Sequence, residues 1–325
     1  MKPSYVLTIS LAAALLVVPL MLLGFGQDTP IGPKWWPSEW GPDDQRGAVN
    51  RLTTKSVVDA ARLIRTGKVY SLGRTYEYGM PLPGKRHFSL SIPGSPTGGP
   101  DGENALVHHD ELFSGEIGQV GTQFDGLGHI GVRMQGDDYF YNGFKRSEFG
   151  KPYGLEKLGV ENVGPIFTRA VLVDMAAYKG VERMKEGEVI SAQDLEGALK
   201  KEGVQVGTGD VLLIRTGHGL LWMKDNAAYG KGEPGIGLAA AKWLIERKIV
   251  MVGSDTWATE VVPPENPNRP FEVHQWLLTK NGIYNIENLN LEALARDKVY
   301  EFAFIFSPLP LKGATGSPGN PIAVR

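Results

Sequence analysis

The sequence predicts an α/β fold whose sheet is covered on both faces. Apolar runs of four to six residues recur through the C-terminal half without the alternation of a half-exposed strand. Stretches with helical apolar spacing separate them. The 42 glycines and 22 prolines among 325 residues mark many turns and long loops and argue against a helical bundle.

The elements follow in order. Lys2 begins a short basic start, and an uninterrupted apolar run covers residues 11–25. This reads as a secretory leader, with an uncleaved membrane anchor as the alternative. Residues 1–30 are therefore set apart from a single domain over 31–325, expected outside the cytoplasm: periplasmic or secreted, or held at the inner membrane. Trp35, Trp36 and Trp40 lie within six positions of one another, as a strap over the core or as an aromatic wall beside a pocket. Thr53 or Thr54 caps a helix over 55–65, and 69–78 reads as a strand. Residues 79–115 read as a long polar loop.

Beyond position 168 the pattern is cleaner. Strands are expected at 170–175, 211–215, 249–252, 283–286 and 302–306. Helices are expected at 191–203, 238–247 and 273–280.

Composition excludes several classes. A formal net charge of -2 gives no footprint for nucleic acid. Without cysteine there is no disulfide, thiolate metal site or cysteine nucleophile. Gly253-Ser254-Asp255 is not a nucleophile elbow. No dinucleotide-type glycine motif lies between a strand and a helix.

The chemistry concentrates in residues 119–129. Gln119, Gln123, Asp125 and His129 stand at steps of four, two and four, with Gly121-Thr122 between the glutamines. The glycines disfavour a helix, so the segment reads as a tight loop gathering polar groups. Downstream, His274 is followed by Glu287 in Asn285-Ile286-Glu287-Asn288-Leu289. A carboxylate at the end of a buried strand needs a counter-charge or a metal. His218 and Asp255 lie just beyond expected strand ends, His218 as a pocket residue and Asp255 as a turn carboxylate or a partner of His274.

The first segment resembles the motif HxGTHxDxPxH of the cyclase family, the kynurenine formamidase-like and isatin hydrolase-like metal-dependent hydrolases. Glutamines stand at the two leading histidine positions, while Asp125 and His129 are in register and Leu127 replaces the proline. His274 and Glu287-Asn288-Leu289 resemble the late half of that family's metal site. The resemblance runs from about Trp40 to the C-terminus. It implies a swivelling β/β/α fold with a mixed central sheet or barrel, and a homodimer or higher homo-oligomer. It also implies one divalent ion, Mn or Zn with Mg compatible, on Asp125, His274 and Glu287. His129 takes the catalytic position. Gln119, Gln123, Trp40 and His218 are the expected substrate contacts. The amides in place of imidazoles favour the harder ions.

The implied activity is hydrolysis of a small amide, imide, lactam or lactone, arylformamidase-like. The partner is a small molecule, and membrane contact comes only through the N-terminal segment. Two alternatives remain open: an exported metal-free binding protein of the same fold, and a cyclase or dehydratase running the reverse chemistry.

Overall fold

A computed structural model describes residues 1, 28–94 and 97–325. The apolar run at 11–25, with its expected cleavage or anchoring, lies outside the described residues. Among the described residues no helix is long and apolar enough to cross a membrane.

The centre is a nine-stranded mixed sheet. Its strands are β1 (Val69–Ser71), β2 (Gln123–Asp125), β3 (Ile166–Asp174), β4 (Val211–Arg215), β5 (Met251–Ser254), β6 (Tyr284–Glu287), β7 (Glu301–Phe306), β8 (Gly316–Pro318) and β9 (Ile322–Val324). The spatial order is β8-β2-β6-β5-β4-β3-β7-β9-β1. The four central strands β3 to β6 run parallel, and antiparallel pairs flank them on both sides.

Successive side chains of a strand point to opposite faces, and here both faces are dry. Along β3, Ala170 and Leu172 join one core with Phe124, Tyr284, Ile286 and Phe304. Val171 and Val173 join the other, under helices α2 (Ala192–Glu202) and α3 (Leu238–Glu246). This two-sided burial is the reason for the unbroken apolar runs in the sequence.

Helix α2 matches its expected bounds because both ends are marked chemically. Ser191 accepts from the Asp194 N–H and Asp194 reciprocates, a capping box, while Gly203 ends the helix at φ 71°. Helix α1 (Thr54–Ala61) is capped by Thr53 and stops short of the expected 65.

Three expectations are corrected. Residues 119–129 are not all loop, because 123–125 form the buried strand β2 between β6 and β8. Ladder partners on both sides outweigh the glycine-rich flanks. The expected strand at 69–78 ends at Ser71, because Gly73 and Arg74 turn their N–H groups to the side chains of Asn320 and Thr122. The long polar loop holds two small ribbons, Phe88–Ser91 with Leu112–Gly115 and Gly98–Asp101 with Leu106–His108.

Two predictions follow from the packing. Phe124 is fully buried, stacked on Tyr284 at 4.9 Å and close to Phe306. Phe124→Ala should lower unfolding free energy by about 3–5 kcal/mol, read from urea denaturation. Glu202, at the end of α2, accepts from the Asp174 N–H at 2.9 Å, and burial pushes its carboxyl from 4.5 up to about 7. The folded chain then holds this proton more tightly than the unfolded one. Stability should fall as pH rises from 4.5 to about 7 and level off above. Glu202→Gln should remove that share of the fall, seen as a smaller difference in Tm between mildly acidic and alkaline buffer.

Candidate metal centre

The site is built on the pairing of β2 with β6. Asn285 faces Asp125, Ile286 faces Phe124, and Glu287 faces Gln123. Opposed residues share a face. Phe124 and Ile286 therefore enter the core, and Gln123, Asp125, Asn285 and Glu287 form one polar cluster on the other side. All four are buried.

Hydrogen bonds follow this register. Gln123 Nε2 donates to Glu287 Oε2 at 2.6 Å. Asn285 Nδ2 donates to Glu287 Oε1 at 2.6 Å and to Asp125 Oδ2 at 3.3 Å. Gln119 Nε2 donates to Asp125 Oδ1 at 3.0 Å. Beyond β2, the edge strand β8 places Gly316 opposite Asp125. A Cβ at Gly316 would come within 2.6 Å of the Gly118 carbonyl and 3.0 Å of Gln119 Nε2, so glycine makes room for the first glutamine.

His274 reaches the cluster from a short helix, α4 (Glu272–His274), which continues as a π-helical turn over Gln275–Lys280. Phe271 precedes it with a left-handed backbone at φ 52°, and its ring sits edge-on to the imidazole at 5.6 Å. Wide turns and backbone outliers of this kind concentrate at functional sites. His274 Nδ1 bonds Glu260. Nε2 then points into the cluster, 3.3 Å from Glu287 Oε1 and 3.7 Å from Asp125 Oδ2. Glu260 also accepts the N–H groups of Val273 and His274.

One ligand atom each from Asp125, His274 and Glu287 lies within 4.8 Å of the others, close enough for one cation to bind all three. A carboxylate on the far nitrogen of a histidine is the usual support for a metal-binding imidazole. The buried cluster sets Asp125, Glu260 and Glu287 against the single imidazole of His274, an excess of acceptors that suits a cation. Gln123 Oε1 and Asn285 Oδ1 are buried without a donor, two further oxygens of the kind hard divalent ions accept. The residues therefore fit a divalent ion. Electrostatics agree. Burial and the Asp125 charge push the Glu287 carboxyl up to about 7 against the pull of His274. Burial works against charge on His274, yet Glu260 and Glu287 outweigh it and hold the imidazole well above its usual value.

His129 stands at the open side, 3.8 Å from Asp125 Oδ1 and 21% exposed. Burial lowers its pKa, with Asp125 opposing. At neutral pH it is a neutral imidazole able to take a proton.

Other expected contacts lie elsewhere. His218 is buried, stacked on Tyr229 at 4.9 Å with Nε2 on the Tyr229 carbonyl. It reaches the cluster only indirectly, through the Tyr229 hydroxyl on Asn288 Oδ1. Trp40 sits beneath the Arg51 guanidinium at 4.9 Å and lines a cleft of about 250 Å³ with Trp35, Tyr141 and Lys280. None of the three candidate ligands lines that cleft. The tryptophan segment lies as a strap, with Trp35 buried against Ile31, Val132 and Tyr139. Asp255 binds the N–H groups of Thr216, Gly217 and Gly219, so it is a turn carboxylate, and Glu260 is the partner of His274. Asn285 was legible in principle, two positions before Glu287 on the same strand. Glu260 carries no periodic signal.

Comparison with known proteins agrees with this fold. The family model described as "Putative cyclase" matches residues 54–261. A crystal structure described as a novel cyclase is 35% identical, with a TM-score of 0.77 over 88% of this chain and 98% of that one. The chain belongs to the cyclase family, and its mixed α/β sheet is the cyclase-like arrangement. Isatin hydrolase A from Ralstonia solanacearum shares the fold at 21% identity and a TM-score of 0.60, covering 84% of this chain and 98% of its own. A protein from Bacillus stearothermophilus described as a predicted metal-dependent hydrolase is 18% identical with a TM-score of 0.50, covering 80% and 98%. No curated protein matches the chain.

Gly316→Ala should crowd Gln119 against Asp125 and cost about 1–3 kcal/mol in chemical denaturation.

Proposed function

We propose that this protein is a metal-dependent hydrolase of a small amide, imide, lactam or lactone. The observation that carries the reading is the buried Asp125–His274–Glu287 cluster with neutral His129 beside it. Family membership supports it, as do structural neighbours that are isatin hydrolases by name. An oxygen-rich donor set with one imidazole suits Mn or Mg and accepts Zn. When bound, such an ion polarises a carbonyl and makes water acidic enough to act near neutral pH.

The chain's own groups do the rest. Asp125, His274 and Glu287 would hold the ion, and Glu260 fixes the tautomer and angle of His274. Gln119, Gln123 and Asn285 hold the two ligand carboxylates in place through their amide N–H groups. His129 removes a proton from the attacking water and returns it to the leaving nitrogen or oxygen. With its leader, the protein would act outside the cytoplasm, as a homodimer.

A second reading rests on those same amide contacts. Three neutral donors already occupy the carboxylates, so the cluster can stand without an ion, as a binding protein would need.

Metal content of the full chain by inductively coupled plasma mass spectrometry separates the two. About one divalent ion per chain is expected, lost in Asp125→Ala and in Glu287→Ala. A chain that remains metal-free after incubation with Mn and Zn would sink the hydrolase reading. His129→Ala should keep the ion and lose roughly 10²–10⁴-fold in turnover of whichever amide or lactone the wild type cleaves.

A further inference from the structure

The mechanism leaves one cation at the site without a task. Arg86 lies at the base of the first ribbon and is half-buried. Its Nη2 donates to Gln119 Oε1 at 3.2 Å, and Gln119 donates in turn to Asp125. Among the described residues Gln119 is its sole hydrogen-bond partner, and no carboxylate pairs with it. Two arginines of the central sheet are engaged differently. Arg215 is held by Asp174 and Glu292, and Arg169 by Asp210 and Glu301. A guanidinium has five N–H donors in a planar fork suited to a carboxylate. Arg86 uses one of them and leaves the others without a protein acceptor.

The surroundings explain why a cation belongs there. Asp125, Glu260 and Glu287 together carry more negative charge than one divalent ion neutralises, which disfavours an anion held beside the cluster. Hydrolysis of an amide or lactone turns a neutral acyl group into a carboxylate, so the product meets that repulsion. Arg86 stands two hydrogen bonds from Asp125, on the route through Gln119, and can offset it. Its charge also reaches His129, where it adds to the lowering that burial causes.

We propose that Arg86, oriented by Gln119, is the anion-recognising residue of this site and binds the carboxylate of the ligand through the free edge of its guanidinium. The proposal rests on the hydrolase reading for its ligand chemistry. Gln119 acts as a positioning residue: its carbonyl fixes the guanidinium and its amide fixes Asp125.

Phenylacetate and its neutral isostere phenylacetamide test this by calorimetric titration of the full chain. The wild type should bind phenylacetate at least about tenfold more tightly than phenylacetamide, the scale of one charge-assisted contact. Arg86→Gln should abolish the preference, with phenylacetate losing more affinity than phenylacetamide. Arg86→Lys should retain part of the preference. A wild type without preference, or Arg86→Gln with the preference intact, overturns the proposal. Metal content of the same samples separates the two readings. A metal-free wild type whose preference depends on Arg86 counts against the hydrolase alone. A metal-loaded wild type with no preference counts against Arg86 alone.

Discussion

The pairing of β2 with β6 is the constraint on which the site depends. A slip of β2 by one residue would turn Phe124 out of the core and swing Gln123 and Asp125 into it, away from Asn285 and Glu287. The apolar side of the pair fixes the polar side. Phe124, held between Tyr284 and Phe306, keeps two carboxylates and two amides facing one point. Short strands rarely specify register so firmly. Here the three residues of β2 have ladder partners on both sides, and Asn288 ties the two segments again through the Gly121 carbonyl.

A second layer of polar contacts gives the cluster its direction. Glu260 is held in place by the backbone N–H groups of α4 and by a bridge to Ile236. Glu233, fully buried on the N–H groups of Trp257 and Ala258, anchors the turn that leads to Glu260. Buried carboxylates of this kind are costly unless every lone pair has a partner. Their concentration around His274 means that the fold accepts a local cost to keep one imidazole fixed.

Legibility in the sequence followed physical signal. Helix 191–203 was readable because a capping box and a left-handed glycine mark its ends. The parallel strands were readable because burial on both faces writes continuous apolar runs. Asp125, His274 and Glu287 were found through the order of two motifs, at 119–129 and 274–289, a relation that periodicity cannot supply. Strand β2 was not readable. Three residues between glycines have no period, and their conformation comes from neighbours distant in sequence. Glu260 sits in a turn whose only signal is the histidine it meets in space. Composition reads the tryptophan segment as a strap or a pocket wall, and it does not reveal which cleft Trp40 lines.

The wide turn at Gln275–Lys280 has a consequence for how His274 is held. A π-helical turn holds one residue more than the α-helical turn it replaces. The turn absorbs that residue, so its two flanks keep the facing of a regular helix. What the extra residue changes is the wall of the turn itself. Leu277 and Leu278 are buried there, and the Thr279 hydroxyl donates to the Ile130 carbonyl at 2.8 Å. The segment that follows the histidine is therefore fastened to the body of the fold along its own side, and the imidazole is carried on an anchored support rather than on a free helix end.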